Sequence, residues 1–461
     1  MKATGFALSR GFIGGIVLLC CSTLTAARGE RWVDIWGSMP QLVEPHNLPP
    51  APYNSGDAVF RNATLRQTVY ITQSASTVRL QLSNVFGTTD LPIISATVAL
   101  PVTSSNSTGA GTSSIIPSTL KSVTFSGGSP SFTIPNGALA ISDPISLAVK
   151  SQSVLTVTLY FGTSGQVGQS VTGHPGSRTT SFLAPGNQVS TPDLATVTGY
   201  GQTDHWYILS TIQGWLPPPS TALAIIGDSI TDGRGSTTNN NNRWPDRLLA
   251  RLQSSKSSLY RKISVINQAA GGNRILADGL GPNALGRIER DVLAHANTKY
   301  AIVYIGVNDI GTATPDPEIL STTGDRMISA YKQIITRLHG AGVAVFGATI
   351  TPMSGPGQTY SDPLREKLRQ RVNTWIRTGQ DTPSAAESGK GGKGKGKGGS
   401  KFDAVIDFDA LVRDAKNTTQ LDPRYDVGDY LHLSPTGYEV MGAAVDLALF
   451  DKFRDGVEDS I

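Results

Sequence analysis

The sequence predicts an α/β protein in two parts, a three-layer α/β/α domain with a parallel sheet, preceded by an antiparallel β-sandwich domain. Three observations support this prediction. Residues 31–214 form short alternating segments without a long helical period. Beyond a proline-rich stretch, apolar runs alternate with amphipathic stretches five times. The chain has 461 residues, which is long for one hydrophobic core.

The segments 77–83 and 153–160 show the pattern of the first part, because apolar side chains occupy every second position. A strand with this period buries one face and exposes the other. Turns rich in Ser, Thr and Gly, such as residues 103–114, separate the segments. A series of short strands of this kind packs as an antiparallel sandwich. Residues 31–214 are therefore predicted to form a β-sandwich-like accessory domain.

The second part is predicted over residues 221–455, after a joint at residues 215–220 that contains three consecutive prolines. Right-handed crossovers between strand–helix units place helices on both faces of a parallel sheet. The five predicted units are 222–226 with 244–252, 263–266 with 285–296, 301–305 with 327–338, 343–350 with 364–376, and 405–408 with 436–450.

The N-terminus has the pattern of an export signal. Lys2 and Arg10 precede an apolar stretch at 11–21, and small residues follow up to Ala27. A short membrane anchor is the alternative, but a span needs about 20 apolar residues. We therefore predict a signal peptide over residues 1–27, a secreted, extracellular protein and no stable membrane anchor after cleavage.

Both cysteines, Cys20 and Cys21, lie inside the predicted signal peptide. The mature chain would then have no thiol, which excludes disulfides, a cysteine nucleophile and Cys-based metal sites. Asn62, Asn106 and Asn417 each begin an Asn-x-Ser/Thr triplet. These three asparagines are predicted to be glycosylated if the chain enters a eukaryotic secretory pathway.

The net charge of +4 comes from one segment, because four lysines lie in a Gly-rich run within residues 380–401. Without these four charges the chain is neutral, so nucleic-acid binding is not indicated. Residues 380–401 are predicted to form a flexible, solvated surface insert. Contact of this insert with a polyanion or a cell wall is the alternative.

The first predicted strand of the second domain ends in Gly227, Asp228 and Ser229. Ligands of open α/β sheets bind beyond the carboxyl ends of the strands, which places Ser229 at the mouth of the predicted site. The triplet alone is weak, because Asp and Ser are ordinary turn residues. The chain lacks a Gly-x-Ser-x-Gly elbow. A serine hydroxyl also needs a base before it can act as a nucleophile.

His432 fits the role of this base. It lies in the loop between the last predicted strand and the last predicted helix, at the same edge of the sheet as Ser229. Asp429 precedes it by three residues, within reach of imidazole Nδ1, where a carboxylate fixes the tautomer and stabilises the imidazolium. The remaining histidines fall near helix ends or in the β-rich part: His46, His174, His205, His295 and His339.

Two more blocks follow the second and third predicted strands. The first contains Gly271, Gly272 and Asn273, and the second contains Asn308 and Asp309. A tetrahedral intermediate needs hydrogen-bond donors aimed at its oxyanion. A glycine N–H, the Asn308 amide and the Ser229 N–H are candidate donors, and glycine lets the substrate oxygen approach the main chain.

In this order the four blocks resemble those of the SGNH hydrolases, also called GDSL lipases and acylhydrolases. The resemblance implies Ser229 as nucleophile and first oxyanion donor, with Asp429 and His432 completing the triad. It also implies Gly272 and Asn308 as oxyanion donors. Gly271 remains the alternative to Gly272, because the two are adjacent and related proteins often have serine at the first position. The Gly/Lys-rich insert has no counterpart in the family pattern.

The resemblance covers residues 221–452 and extends into the first part. The segments 31–36, 65–69, 82–87 and 173–178 look like the front half of extracellular SGNH esterases that carry an N-terminal β-domain. The resemblance carries no catalytic residue over to this domain. Three tryptophans are interpreted as packing residues, with sugar-stacking platforms as the alternative: Trp32, Trp36 and Trp206.

The resemblance implies a secreted serine esterase that hydrolyses short-chain acyl or acetyl esters, including those of polysaccharides, through an acyl-enzyme. No metal or organic cofactor is implied. Expected partners are small-molecule or polysaccharide esters and no nucleic acid, while the oligomeric state is not predicted. Asp228 and Asp309 are expected to organise loops, and Arg274 to contact either a loop carboxylate or substrate. The competing hypothesis is a non-catalytic extracellular carbohydrate-binding protein with a retired hydrolase scaffold.

Overall fold

The computed structural model describes Met1 and residues 29–105, 107–380 and 401–457. Four sequence predictions therefore lie outside the described residues. These are the signal peptide beyond Met1, the two cysteines within it, the glycosylation site at Asn106, and the Gly/Lys-rich insert except for its two end residues.

The first part of the chain consists of short strands joined by turns. Their bounds are β1 (Arg31–Gly37), β2 (Gln41–Leu42), β3 (Ala58–Val59), β4 (Ala63–Tyr70), β5 (Ala75–Ser83), β6 (Leu91–Ile93), β7 (Ser95–Ala99), β8 (Lys121–Ser122), β9 (Phe132–Ile134), β10 (Leu139–Ile141), β11 (Ile145–Val149), β12 (Val154–Tyr160), β13 (Gln166–Val167), β14 (Thr172–His174), β15 (Ser181–Pro185), β16 (Gly201–Thr203), β17 (Trp206–Tyr207) and β18 (Leu209–Leu216).

Two antiparallel sheets dominate this part. One has the strand order β1-β18-β5-β10, with β11 also paired to β5, and the other has the order β16-β15-β4-β12-β7-β8. Their alternating side chains meet in one core, to which Ile35 and Leu80 contribute from the first sheet and Leu65 and Val157 from the second. The predicted antiparallel β-sandwich is confirmed, and we call residues 31–216 the sandwich.

The second part alternates strands and helices. Its elements are β19 (Thr221–Gly227), α1 (Ser229–Asp232), α2 (Trp244–Ser254), β20 (Ile263–Ala269), β21 (Thr298–Tyr304), α3 (Val307–Thr312), α4 (Pro317–His339), β22 (Ala344–Ala348), α5 (Pro363–Thr378), β23 (Ala404–Ile406), α6 (Phe408–Val412), α7 (Pro435–Ala444) and α8 (Ala448–Lys452). The strands form one parallel sheet in the order β20-β19-β21-β22-β23. Helix α2 packs against α7, and α4 packs against α5. The predicted α/β/α fold is confirmed.

Two of the predicted helices differ from the structure. The stretch 285–296 contains only a five-residue helical turn, Glu289–Leu293. The Asp34 carboxylate of β1 binds the His295 ring and the Ala296 N–H, which fixes the chain in a non-helical path beyond this turn.

The stretch 436–450 is divided between α7 and α8. The division follows from Arg251 on α2, whose Nη1 donates to the carbonyl oxygens of Gly442 and Val445 at 2.8 and 2.7 Å. These contacts satisfy carbonyl groups that lose their helical partners where α7 ends.

The two parts share a packed boundary. Strand β1 lies along β20, the edge strand of the parallel sheet, and the sandwich core includes Ala222 and Ile266 from the second part. The Val265 N–H donates to Thr72 Oγ1 at 3.3 Å. Strand β18 extends into the predicted joint, which leaves residues 217–220 between the two sheets. In the ranges that the structure describes, no helix combines the length and apolarity required to cross a membrane.

Candidate active site

Ser229 occupies the sharp turn between β19 and α1. Asp228 is the N-cap of this helix, because its Oδ1 accepts a hydrogen bond from the Ile230 N–H at 3.0 Å. Gly233 ends the helix in a left-handed conformation with φ of 98°, which favours glycine. Ser229 is the first helical residue, so its N–H has no acceptor within the helix. The turn therefore presents both the Ser229 hydroxyl and the Ser229 N–H at the carboxyl end of β19.

The three residues of the predicted triad lie within hydrogen-bond distance of one another. Ser229 Oγ is 2.8 Å from His432 Nε2, and His432 Nδ1 is 2.7 Å from Asp429 Oδ2. The other carboxylate oxygen of Asp429 accepts the backbone N–H groups of Leu431 and His432 at 3.0 and 2.8 Å. The loop thus fixes the carboxylate and the ring together, with Nε2 facing the serine hydroxyl.

The environment of Asp429 keeps its carboxylate ionised. Partial burial by itself favours the neutral acid, but hydrogen bonds from the His432 ring and backbone outweigh it and lower the pKa of Asp429 to about 2. A carboxylate that remains charged at neutral pH can stabilise an imidazolium on His432.

Gly272 and Asn308 reach the same site from the ends of β20 and β21. Gly272 has a φ of +67°, and a Cβ there would lie 2.5 Å from Leu280 Cδ1, so the position requires glycine. Asn308 Nδ2 donates to the Asn273 carbonyl oxygen at 2.9 Å, and Asn308 Oδ1 accepts from the Tyr360 hydroxyl at 2.9 Å. These two contacts orient the amide and use one of its two Nδ2 hydrogens.

A cavity of about 470 Å³ connects these groups. Ser229, His432 and Asn308 line it, and so do both Gly271 and Gly272. Its size is in the range typical of small-molecule sites. The structure therefore brings together all predicted oxyanion donors, and both adjacent glycines remain candidates.

Two buried carboxylates support the loops around the cavity. Asp309 accepts the N–H groups of Ile275 and Leu276 at 2.8 and 3.0 Å, and burial raises its pKa to about 6. Burial also raises the pKa of Asp228 to about 7. These contacts agree with the predicted loop-organising role. The sequence predicts a loop carboxylate or the substrate as the partner of Arg274. In the structure its guanidinium donates instead to a backbone carbonyl oxygen of the loop, that of Asp278.

The sandwich forms one wall of the cavity, a contribution that no sequence pattern predicted. Glu44, His46 and Arg178 line it from this side. Next to them, His174 Nε2 lies 2.8 Å from Asp232 Oδ1, at the end of α1. His174 and Arg178 lie in the segment 173–178, which was part of the family resemblance, but that segment gave no sign of a contact with the active site, and Glu44 and His46 lie outside it.

Two of the three tryptophans considered above, Trp36 and Trp206, are packing residues, whereas Trp32 is only partly buried. Trp36 and Trp206 are buried and meet edge to face, with ring centroids 4.9 Å apart. Trp32 packs against Trp215, and the Arg79 guanidinium lies 4.1 Å from its ring centroid. In the described part of the chain, no group of three or more His, Cys, Asp or Glu side chains is arranged to hold a metal ion.

Comparison with known proteins assigns the second part to a family. Residues 223–445 match the GDSL-like lipase/acylhydrolase family. Among solved structures, a variant of an acetyl xylan esterase from Geobacillus stearothermophilus is 21% identical, with 49% of this chain and 92% of that chain covered and a TM-score of 0.33. A GDSL-like lipase from Bacteroides thetaiotaomicron is 14% identical, with 50% and 89% covered and a TM-score of 0.33. A carbohydrate acetylesterase from Sinorhizobium meliloti is 15% identical, with 51% and 99% covered and a TM-score of 0.31. No curated protein matches the chain.

Proposed function

Because residues 223–445 belong to the GDSL-like lipase/acylhydrolase family, we propose that this protein is a serine esterase that hydrolyses carboxylic esters through an acyl-enzyme. One observation carries the proposal. Ser229 Oγ contacts His432 Nε2, so the imidazole can take the hydroxyl proton, and His432 Nδ1 contacts Asp429, whose carboxylate stabilises the resulting imidazolium.

In the first step, His432 Nε2 takes the hydroxyl proton as Ser229 Oγ attacks the ester carbonyl carbon. The carbonyl oxygen becomes an oxyanion, which accepts hydrogen bonds from the Ser229 N–H, the Gly272 N–H and the Asn308 amide. Collapse of this intermediate expels the alcohol, which leaves with the proton held by His432. The acyl group remains on Ser229.

In the second step, water replaces the alcohol. His432 removes a proton from the water as it attacks the acyl-enzyme, and the same three donors hold the second oxyanion. The proton then returns to Ser229 Oγ, and the carboxylic acid leaves. Asp429 keeps the imidazole oriented in both steps.

We propose acetyl or other short-chain acyl esters as substrates, including those of polysaccharides. The cavity of about 470 Å³ supports a compact acyl group, and the sandwich wall provides polar side chains for the alcohol portion. We also propose that the enzyme acts outside the cell, on the basis of the export-signal pattern of residues 1–27. The N-terminal sequence of the protein recovered from culture medium tests this, since cleavage after residue 27 leaves Arg28 first.

The test of the esterase is hydrolysis of p-nitrophenyl acetate and of longer acyl esters by wild type and Ser229→Ala. The variant is expected to lose activity by roughly 10³-fold or more. Ser236→Ala is the matched control, because Ser236 lies a few residues further along the chain and does not line the cavity. Equal, slow hydrolysis by wild type and Ser229→Ala would refute the proposal and favour the carbohydrate-binding hypothesis.

A further inference from the structure

Arg178 is an arginine of the cavity wall that the Asp232 carboxylate attracts by its charge but does not bind through a hydrogen bond. It comes from the sandwich and lines the cavity that also contains Ser229. Among the described residues, its guanidinium takes part in no hydrogen bond or ion pair, and its Nε–H is buried without an acceptor. A buried donor without a partner is costly, and in a ligand cavity it indicates that a ligand supplies the acceptor.

The backbone holds Arg178 in an unusual conformation. Its φ of 47° lies in the left-handed region, which residues other than glycine rarely adopt. The Asn239 N–H donates to the Arg178 carbonyl oxygen at 3.0 Å, and Asn239 Oδ1 accepts from the Thr180 N–H at 2.8 Å. A loop of the second part therefore clamps the segment that carries Arg178. Strain maintained in this way is typical of ligand-binding positions.

Arg234 lines the same cavity from the other side. It follows α1 by two residues, its side chain is exposed, and it has no ion pair among the described residues. The two arginines thus belong to different parts of the chain but face one cavity. Arginine binds carboxylates through two parallel hydrogen bonds, which an unpartnered guanidinium can offer in full.

The carboxylates around the cavity already have partners. Asp232 is bound by His174, and Asp429 is bound by His432. Glu44 accepts hydrogen bonds from the side chains of Gln41 and Asn47 at 2.7 and 3.0 Å. Among the described polar side chains that line this cavity, Arg178, Arg234 and His46 take part in no hydrogen bond or ion pair, and both arginines are cationic.

We propose that Arg178 and Arg234 form an anion-binding subsite next to Ser229, and that the preferred substrates are esters whose alcohol portion carries a carboxylate. This inference rests on the esterase function proposed above. O-acetylated uronic-acid sugars have the required chemistry, because an ester and a carboxylate are attached to one ring. The subsite would hold the carboxylate while Ser229 attacks the acetyl group.

The experiment compares two substrates that differ in one group, an O-acetylated methyl glucuronoside and the matching O-acetylated methyl glucoside. The measured quantity is the ratio of their kcat/KM values. Wild type is expected to prefer the glucuronoside by about tenfold or more, as for a charged hydrogen-bonded pair. Arg178→Gln and Arg234→Gln are each expected to lower this ratio, and the double variant to bring it to about one. Added salt should lower the wild-type ratio as well.

Arg326→Gln is the control for net charge, because Arg326 is exposed on α4 and does not line the cavity. It should keep the wild-type ratio. A wild-type ratio of one or less, or a ratio that survives in the double variant, overturns the subsite.

A second measurement requires neither a variant nor catalysis. Calorimetric titration of the wild-type protein with methyl glucuronoside should show binding, and methyl glucoside should bind more weakly by a similar factor. Equal binding of the two sugars overturns the subsite even if p-nitrophenyl acetate is hydrolysed. Selective binding without any ester turnover retains the subsite and refutes the esterase instead.

Discussion

His174 Nε2 lies 2.8 Å from Asp232 Oδ1, and this contact joins the sandwich to the helical turn that begins with Ser229. Both side chains are buried, with exposed fractions of 5% and 6%. His174 Nδ1 contacts the Met39 carbonyl oxygen at 3.0 Å, and its ring stacks on Trp206. The position of the serine turn therefore depends on a side chain from another part of the fold.

His174→Ala should destabilise the protein strongly, because it leaves the Asp232 carboxylate buried without its imidazole partner. The expected loss is about 1–3 kcal/mol or more in the free energy of unfolding, together with a lower kcat/KM for ester hydrolysis. His339→Ala is the control, since His339 and Asp403 form a pair of similar length, 2.9 Å, with exposed fractions of 15% and 14%. Guanidinium unfolding should show a smaller loss for the control. Equal losses would contradict the role given to burial.

Gly272→Ala should abolish most activity, whereas Gly271→Ala should retain it within a few fold. An alanine at 272 is strained by the positive φ and by Leu280, while a Cβ at 271 would meet nothing within 4 Å. The loss of one oxyanion donor typically reduces kcat by about 10²–10³-fold. Steady-state kinetics on p-nitrophenyl acetate measures both variants. The reverse order would assign the oxyanion N–H to Gly271.

Asn308→Ala should reduce kcat by about 10²-fold or more, because it removes the oxyanion amide. Tyr360→Phe should cost less, below about tenfold, because it removes only the hydroxyl that donates to Asn308 Oδ1. The Asn273 carbonyl would still orient the amide in this variant. If both variants lost the same activity, Tyr360 would act on substrate directly rather than position the amide.

Asp228→Asn should change how stability depends on pH. Burial raises the pKa of Asp228 to about 7. The negative charges of Asp309 and Asp232 raise this pKa further, whereas the hydrogen bond from the Ile230 N–H lowers it. The folded protein thus binds this proton more tightly than the unfolded chain, where the pKa is about 4. The resulting stability is fully present below pH 4 and is lost as the pH rises through 7.

Urea unfolding at pH 5 and pH 8 measures this effect. Asparagine keeps an oxygen acceptor for the Ile230 N–H but does not ionise. Between the two pH values, wild type should therefore lose about 2 kcal/mol more stability than Asp228→Asn. Asp309 titrates in both proteins and serves as an internal reference. Parallel losses would mean that Asp228 is ionised in the fold at both pH values.

Local patterns predicted the parallel sheet and the grouping of Ser229, Asp429 and His432. The reason is that Ser229 directly follows a strand of this sheet, and that Asp429 and His432 lie three residues apart in one loop that precedes the helix α7. The roles of these residues in catalysis remain predictions. His174 and Arg178 could not be found in this way, because their contacts with α1 and the cavity depend on how the sandwich packs against the second part.

The same reason explains the helix that was wrongly predicted at 285–296. Its amphipathic period is real, but Asp34 lies more than 250 residues earlier and binds the end of this segment. A tertiary contact of this kind overrides local helix propensity. The sequence pattern therefore did not predict the features of the fold and of the site that depend on long-range contacts between the two parts.

The packing of the sandwich along β20 also bears on solubility. An edge strand of a sheet presents unpaired backbone groups that can pair with another chain and seed aggregation. Here the Val265 N–H is occupied by Thr72 Oγ1, and Ile266 is buried in the sandwich core. A proteolytic fragment that began at residue 221 would uncover both. The sandwich therefore covers the free edge of the parallel sheet, and cleavage within residues 217–220 followed by separation of the two parts would expose this edge to pairing with other chains.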